Sequence, residues 1–290
     1  MSRLSFFLLL LLGFTACIKN NPDPSWLEVT AWTLQSNIDL SGDEGELSHN
    51  ITEAWVLVDD KLIGVFQVPF KIPILKDGMC NIKIYHAIKN NGISATKKIY
   101  PFLEVYEVNQ ILTKNQTLTL NPITKYKSVT QFWIEDFEEI NTLLLEDDPN
   151  TSIAHCEEVN ENLQPFNGSF YGKISLNSNF PLWVAYTRDT EQLFIAKGKE
   201  AYLEIDYHNT NSLTTGLIYV SPAGVTNNIN IRLNAQSPES VVWKKIYIEL
   251  TELIKASPNS SNFQQSFSSY LDPGQTATEI LIDNIKVVYF

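Results

Sequence analysis

Two acidic side chains lie two positions apart in residues 203–209 (LEIDYHN). Side chains alternate between the two faces of a β-strand, so Glu204 and Asp206 share one face if this segment is a strand. A nucleophile and an acid about 5–5.5 Å apart can hydrolyse a glycosidic bond with retention. The competing interpretation, which we favour, is an alternating strand that turns a polar face outward.

The spacing of these acids also resembles the E-x-D-x-x-E motif of a laminarinase-like glycoside hydrolase family. Asn209 stands where that motif has its third acid, so the proton donor is missing. The chain contains no nucleophile elbow, phosphate-binding loop, dinucleotide fingerprint or H-E-x-x-H motif. We therefore expect a protein that is not an enzyme, and we keep a glycosidase that uses Glu204 and Asp206 as the least favoured alternative.

Aromatic and polar residues occupy the same strand faces as these acids. In the predicted strand at residues 242–250, Trp243 and Tyr247 lie on the face opposite the apolar side chains. In the predicted strand at residues 229–234, Arg232 lies opposite the apolar side chains of that strand. Rings can stack on sugar C–H groups, and planar polar groups can bind hydroxyls. The candidate ligand-binding residues are therefore Tyr202, Glu204, Asp206, Arg232, Trp243 and Tyr247. The alternative is that Trp243 and Tyr247 pack in a satellite core, because Trp is usually buried.

The elements that would carry these residues are strands. Turn signals recur about every eight to twelve residues, and no long stretch keeps a 3.6-residue apolar period, which is the pattern of β-sandwiches. We predict an all-β protein with two sandwich domains, at residues 25–127 and 128–290. Residues 141–145 (NTLLL) and 250–256 (LTELIKA) are the best candidates for short helical turns.

The second domain resembles the galactose-binding-like jelly roll of many carbohydrate-binding modules. It opens with FWIEDFE at residues 132–138 and closes with ILIDNIKVV at residues 280–288, as members of that family do. The resemblance implies a β-sandwich jelly roll. It also implies a structural Ca²⁺ shared by Glu138 from the first strand and Asp283 from the last, since Ca²⁺ prefers carboxylate and carbonyl oxygens.

The first domain resembles a PEGA-like, Ig-like small β-sandwich. The resemblance rests on residues 56–85, where a strand, an Asp59-Asp60-Lys61 turn, a returning strand, prolines and a Gly78 turn follow one another. Asn90-Asn91-Gly92 is a further turn of the kind that needs positive φ. Such domains serve as spacers or adhesion modules, so the resemblance assigns no chemistry to this half.

The first 16 residues read as a secretory signal peptide, with Arg3 before a short apolar run. Thirteen helical residues span about 20 Å, which is too short to cross a bilayer. Residues 14–17 (FTAC) resemble the lipobox of bacterial lipoproteins, which implies that Cys17 is lipidated and begins the mature chain. Ile18 follows it in place of the Asp that marks inner-membrane retention, and residues 17–24 form a polar tether.

The amino-acid composition limits the classes of molecule that the protein can bind. The net charge of −12 argues against nucleic acid, because binding phosphates needs clustered cations, and it is compatible with cations and neutral glycans. Cys80 and Cys156 fall in different domains, and two buried thiols are favoured over a disulfide. The four histidines are scattered, without zinc-ligand spacing.

Together these features predict a non-catalytic lipoprotein anchored in the outer membrane, on either its periplasmic or its cell-surface side. Its jelly roll would bind a glycan. The alternative is a structural or accessory subunit of an envelope complex, of a secretion or gliding type, whose jelly roll contacts protein. The overall organisation resembles envelope proteins of the Bacteroidetes type.

Overall fold

A computed structural model of the chain describes residues 22–157, 168–259 and 261–290. The signal peptide and Cys17 lie outside the described residues. The protein is all-β, with strands grouped into two sandwiches at residues 25–124 and 131–289. In the part of the chain that the structure describes, no helix has the length and apolar character needed to cross a membrane.

The N-terminal domain contains ten strands, several of which are very short. In chain order they are β1 (Ser25–Val29), β2 (Thr33–Leu34), β3 (Glu53–Val58), β4 (Lys61–Gln67), β5 (Phe70–Ile74), β6 (Gly78–Lys89), β7 (Lys97–Ile99), β8 (Tyr106–Leu112), β9 (Thr117–Leu120) and β10 (Ile123–Thr124).

These strands form a small sandwich. One sheet has the order β5-β1-β9, the facing sheet has the order β4-β3-β6-β7 with β8 also paired to β6, and β2 pairs with β10 at the side. Clean alternation in β6 places Cys80, Ile82 and Ile84 in the core between the sheets. The predicted Asp59-Asp60 hairpin turn is confirmed, since both residues have positive φ (49° and 59°) and join β3 to β4.

In the described part of the C-terminal domain, residues 131–157, 168–259 and 261–290, there are eleven strands and one short α-helix. They are β11 (Gln131–Glu135), β12 (Leu144–Glu146), β13 (Ala154–Glu157), β14 (Phe170–Asn177), β15 (Leu182–Thr187), β16 (Ala201–Asn209), β17 (Leu213–Ser221), β18 (Gly224–Leu233), β19 (Lys244–Glu249), α1 (Thr251–Ala256), β20 (Asn262–Tyr270) and β21 (Ala277–Tyr289).

Two antiparallel sheets build the jelly roll. The first has the order β13-β14-β21-β16-β19, with β11 paired to the C-terminal half of β21, and the second has the order β12-β15-β20-β17-β18. The inner faces enclose one core that includes Trp183, Leu203, Ile248 and Phe267. The predicted helix at 250–256 is confirmed by α1. The predicted helical turn at 141–145 is wrong, because Leu144 and Leu145 pair with β15 as a strand.

Two β-bulges change which side chains point outward. Between Glu204 and Asp206, β21 inserts an extra residue, and Asn284 there adopts φ 47°. Between Thr214 and Gly216, β18 inserts another, so Ile229 turns outward and is 74% exposed. The alternation predicted for residues 229–234 therefore fails at this bulge.

The two domains share a core. The outer face of the first jelly-roll sheet packs against the N-terminal domain, and Tyr202, Tyr247 and Val288 join the apolar cluster of that domain. The Tyr202 ring meets the Tyr100 ring edge-on at 5.3 Å between centroids. We call this outer surface the covered face; it comprises Tyr202, Glu204, Asp206, Lys245, Tyr247, Lys286 and Val288.

A candidate binding groove at the domain junction

The covered face contains four of the six predicted ligand-binding residues, and three of these four are completely buried. Tyr202, Glu204 and Asp206 each have no solvent exposure. The sequence correctly predicted that they share a strand face opposite Leu203 and Ile205, but the expectation that this face is an open platform is wrong. The N-terminal domain lies over it, so a ligand cannot reach these side chains in this structure.

A buried cluster of charges takes the place of the expected platform. Lys245 Nζ lies 3.2 Å from Glu204 Oε2 and 3.6 Å from Asp206 Oδ1. The N-terminal domain completes the cluster, because Ser48 Oγ donates to Asp206 at 2.7 Å while the hydroxyls of Tyr100 and Tyr126 donate to Glu204 Oε1 at 2.5 and 3.0 Å. Each acid is thus held by donors from both domains.

The cluster sets the ionisation of its members. Burial favours the neutral form of Glu204, but Lys245, Lys286 and the Tyr100 hydroxyl outweigh burial and lower its pKa. Burial raises the pKa of Asp206, and Lys245 and Ser48 offset this only in part. Burial also lowers the pKa of Lys286 to about 8, with repulsion from Lys245 adding to the effect. Lys245 thus bridges both acids, and the cluster joins the two domains. A sugar has no approach to Glu204 and Asp206, which the glycosidase alternative requires as nucleophile and acid.

An open groove lies beside the covered face, where the two domains meet. It consists of two clefts of about 390 and 560 Å³ that adjoin, because they share four lining residues. We call it the junction groove. Its lining comprises His49, Asn50, Lys89, Asn91, Gly92, Ile93, Tyr207, residues 230–236 and residues 243–247.

Hydrogen bonds between the domains hold the walls of the junction groove in register along the edge strand β19. Asn50 Nδ2 donates to the carbonyl of Lys245 at 3.0 Å, and the Asn50 backbone N–H donates to the Tyr247 hydroxyl at 2.9 Å. The Asn91 N–H donates to the carbonyl of Tyr247, and Asn91 Oδ1 accepts from the N–H of Glu249, both at 2.9 Å. The groove is therefore formed before any ligand arrives.

Gly92 allows the N-terminal wall to come this close. Its φ is 71°, as predicted for the Asn90-Asn91-Gly92 turn, and a Cβ atom there would lie 2.9 Å from Ile246 Cδ1. A side chain at this position would strain the turn and push the loop away from β19.

Three of the predicted ligand-binding residues line the junction groove, and one of them, Tyr247, also belongs to the covered face. Trp243 is half-buried, with its ring centroid 5.8 Å from that of His208. Tyr247 is buried, with 3% of its surface exposed, and forms part of the floor. Arg232 lies on β18, and its exposed side chain donates to Asp272 at 2.9 Å and to Ser212 at 2.7 Å.

The two predicted calcium ligands already accept hydrogen bonds from the protein. Asp283 accepts from the Asn284 N–H at 2.7 Å, and Glu138 Oε1 accepts from the N–H groups of Ser169 and Phe170 at 2.7 and 3.0 Å. Burial, followed by nearby carboxylates that include Asp206 and Glu138, raises the pKa of Asp283 to about 9. Within residues 22–157, 168–259 and 261–290, no group of three or more acidic, His or Cys side chains could hold a metal. These two carboxylates alone do not form a cage, so calcium stays a prediction.

Among the described residues, the two cysteines are free thiols. Cys80 is buried in the N-terminal core and Cys156 is half-buried in β13.

Sequence reasoning missed the N-terminal half of the groove. Asn50, Lys89 and Asn91 come from loops and a strand end that carry no motif. The turn at Asn91 was recognised, but only as a turn. Their role depends on how the two domains dock, and no local pattern in the chain reports that.

No protein family matches this sequence, and no curated protein does. Among solved structures, similar folds include the CBM22-1–GH10 modules of xylanase 10B from Clostridium thermocellum complexed with xylohexaose, with 13% identity and a TM-score of 0.39 over 53% of this chain. This chain covers only 28% of that xylanase chain.

Two further similar structures are carbohydrate-binding modules. A carbohydrate-binding module of the β-sandwich superfamily has 11% identity and a TM-score of 0.37, over 80% of this chain and 83% of its own. The family 11 module of C. thermocellum, bound to a mixed-linked tetrasaccharide, has 12% identity and a TM-score of 0.36, over 55% and 94%. Likenesses at this level carry no information about the ligand of this chain. The class of this protein, all-β with two sandwiches and a C-terminal jelly roll, follows from its own strand order.

Proposed function

We propose that this protein is a non-catalytic lipoprotein of the outer membrane that binds a glycan in the junction groove. The observation that carries the proposal is the groove itself, a preformed cleft with an aromatic ring, amides and cations between two domains joined by hydrogen bonds and a shared apolar cluster. Clefts of roughly 300–1,000 Å³ at domain junctions are common ligand sites. Because hydrogen bonds already fix the walls of the groove, ligand binding has little further cost in ordering side chains and loops.

The chemistry of the lining suits a sugar. The rings of Trp243 and Tyr207 offer apolar faces for sugar C–H groups, while the exposed Asn234 and the lysines Lys89 and Lys244 offer polar groups to hydroxyls. Among the described residues, no carboxylate lines the groove where it could act in hydrolysis. Binding without bond cleavage is therefore the function that the groove supports best.

Membrane anchoring is the second part of the proposal. It is supported by the apolar run that ends at Cys17 and by its resemblance to a lipobox, as described above. Ile18 favours the outer membrane, and the side of that membrane stays open.

A subunit of an envelope protein complex is the second candidate, and one surface favours it. The outer face of the second jelly-roll sheet is free of the N-terminal domain and exposes apolar side chains. Leu182 and Tyr270 are paired across β15 and β20, with 48% and 65% of their surfaces exposed. Ile229 on β18 is 74% exposed. Exposed apolar groups of this kind can mark a protein contact.

A glycan array on the full chain, with matched aromatic variants, separates these candidates. We expect Trp243→Ala to weaken binding of the glycan found on the array by about 30-fold, since ring anchors often contribute about 2 kcal/mol. Tyr270→Ala removes an exposed ring from the other face and should leave binding unchanged.

Thermal unfolding of both variants checks that each is folded. If no neutral or acidic glycan binds the folded wild-type protein, the glycan proposal fails and the complex subunit is favoured. Loss of binding in Tyr270→Ala alone would place the site on the second sheet and would contradict the junction groove.

A further inference from the structure

The lining of the junction groove has an unusual charge for this protein. The chain carries 33 acidic residues and a net charge of −12, yet among the residues that the structure describes no Asp or Glu lines either cleft. The same lining includes the cations Lys89, Lys244 and Arg232. The groove is therefore a locally basic surface on an acidic molecule.

Three acids that contact or neighbour groove residues in the fold, Glu249, Glu204 and Asp272, are paired with other groups. Glu249 accepts from Lys98 at 2.6 Å and from Asn90 Nδ2 at 2.7 Å. Glu204 is buried against Lys245, as described above, and Asp272 is bound by Arg232 and Ser212. Each negative charge is thus matched by a donor, which limits the negative potential that reaches the groove.

Lys89 and Lys244 have no acidic partner within residues 22–157, 168–259 and 261–290. Among the described residues, no carboxylate lies within 4.0 Å of either ammonium group, whereas Lys97 and Lys98 on the neighbouring strand β7 both bind acids. Lys89 is half-exposed at the end of β6, and Lys244 is exposed at the start of β19. The two free cations therefore come from different domains and both line the first cleft.

We propose that the junction groove selects glycans that carry carboxylate or sulfate groups over neutral glycans, with Lys89 and Lys244 as the groups that discriminate between them. This inference rests on the proposed function and narrows its ligand class. It goes beyond the interpretation of the net charge, which was compatible with cations and neutral glycans, because the local lining differs in sign from the whole surface. A lysine acts as a point charge without a fixed fork, so the groove recognises the negative charge on the sugar more than its planar shape.

Equilibrium binding to two versions of one oligosaccharide tests the selection. The probes are an oligogalacturonate and its fully methyl-esterified form, which keeps the sugar backbone and removes the charge, with a sulfated oligosaccharide as a third probe. We expect the free acid to bind the full chain at least tenfold more tightly than the ester. We also expect its affinity to fall as NaCl rises from 50 to 500 mM, because surface charges are screened.

Matched variants assign the effect to the groove. Lys89→Gln and Lys244→Gln should each weaken binding of the free acid about tenfold and change binding of the ester far less, because glutamine removes the charge but keeps a polar group for the sugar hydroxyls. Lys199→Gln removes an exposed lysine from a turn outside the groove and should change neither. Tighter binding of the sulfated probe than of the uronate, with the same loss in both lysine variants, would assign the selectivity to sulfate.

Two results would overturn the inference. If acid and ester bind equally and the lysine variants bind like wild type, selection by charge fails while glycan binding stands. If Lys199→Gln weakens binding as much as Lys244→Gln, the attraction is non-specific and the groove does not select. If none of the probes and no neutral glycan binds, the proposed function itself fails.

Discussion

Lys245 gives the sharpest test of how the two domains are joined. Its ammonium group is buried and lies 3.2 and 3.6 Å from the carboxylates of Glu204 and Asp206. At an effective dielectric constant of about 20, each contact has a gross Coulomb energy of about 5 kcal/mol. Burying three charges offsets much of that attraction, so the net stability of the cluster is far smaller.

Removing the lysine alone leaves two acids buried without their cation. We therefore expect Lys245→Met to lower the free energy of unfolding by about 3–5 kcal/mol. The matched control is Lys98→Met, which removes the more exposed bridge from Lys98 to Glu249 at the same junction and should cost less than about 1 kcal/mol. A triple variant that also carries Glu204→Gln and Asp206→Asn removes the unpaired charges and should recover most of the loss.

Urea unfolding of the full chain, followed by tryptophan fluorescence, measures these differences. Because residues of both domains share one core, wild type should unfold in a single cooperative transition. The reasoning is refuted if Lys245→Met loses no more stability than Lys98→Met. It is also refuted if wild type unfolds in two separate steps, since the cluster would then not couple the domains.

The remaining predictions concern the anchor and Asp283. Cys17→Ala should release the protein from the membrane fraction or leave an uncleaved precursor, and unchanged partition with normal processing would remove the lipoprotein proposal. If Asp283 binds calcium, EDTA should lower the melting temperature of wild type, because a ligand stabilises the state that binds it. Asp283→Ala should abolish this effect of EDTA. A melting temperature that changes with neither EDTA nor the substitution would end the calcium prediction. In EDTA, the raised pKa of about 9 keeps Asp283 protonated in the folded state while the unfolded state ionises near pH 4, so stability should fall as pH rises from about 4 to about 9. Asp283→Asn should make that slope shallower in pH-dependent urea unfolding, and an unchanged slope would show that Asp283 is not its source.

The sequence predicted the sandwiches because period-two alternation depends on local residues. It correctly assigned Leu203 and Ile205 to the buried face of β16, since an apolar face must pack whatever covers the other side. The sequence did not show whether the opposite, polar face of β16 is exposed to solvent or covered by another domain. One signal was available in the sequence. Lys245 and Lys286 lie on the same face as Glu204, and such a balance of opposite charges indicates ion pairs in a covered interface.

Other errors have equally specific causes. The three residues of β12 are too few to show alternation, and pairing with β15 determines their conformation. The bulge in β18 adds one residue, which turns Ile229 outward, and a bulge of this kind has no periodic signature. The groove needed the docking of Asn50 and Asn91 onto β19, which is a tertiary event.

The covering of β19 has a consequence for how the protein can be produced and how it folds in the cell. Without the N-terminal domain, β19 would be a free sheet edge beside the apolar Tyr202, Tyr247 and Val288, and unprotected edges recruit other chains into aggregates. The N-terminal sandwich precedes the jelly roll along the chain, so it emerges first during export and can fold first. The N-terminal domain can therefore protect β19 from aggregation while the jelly roll folds. The jelly roll expressed alone, from about residue 128 onward, should be insoluble.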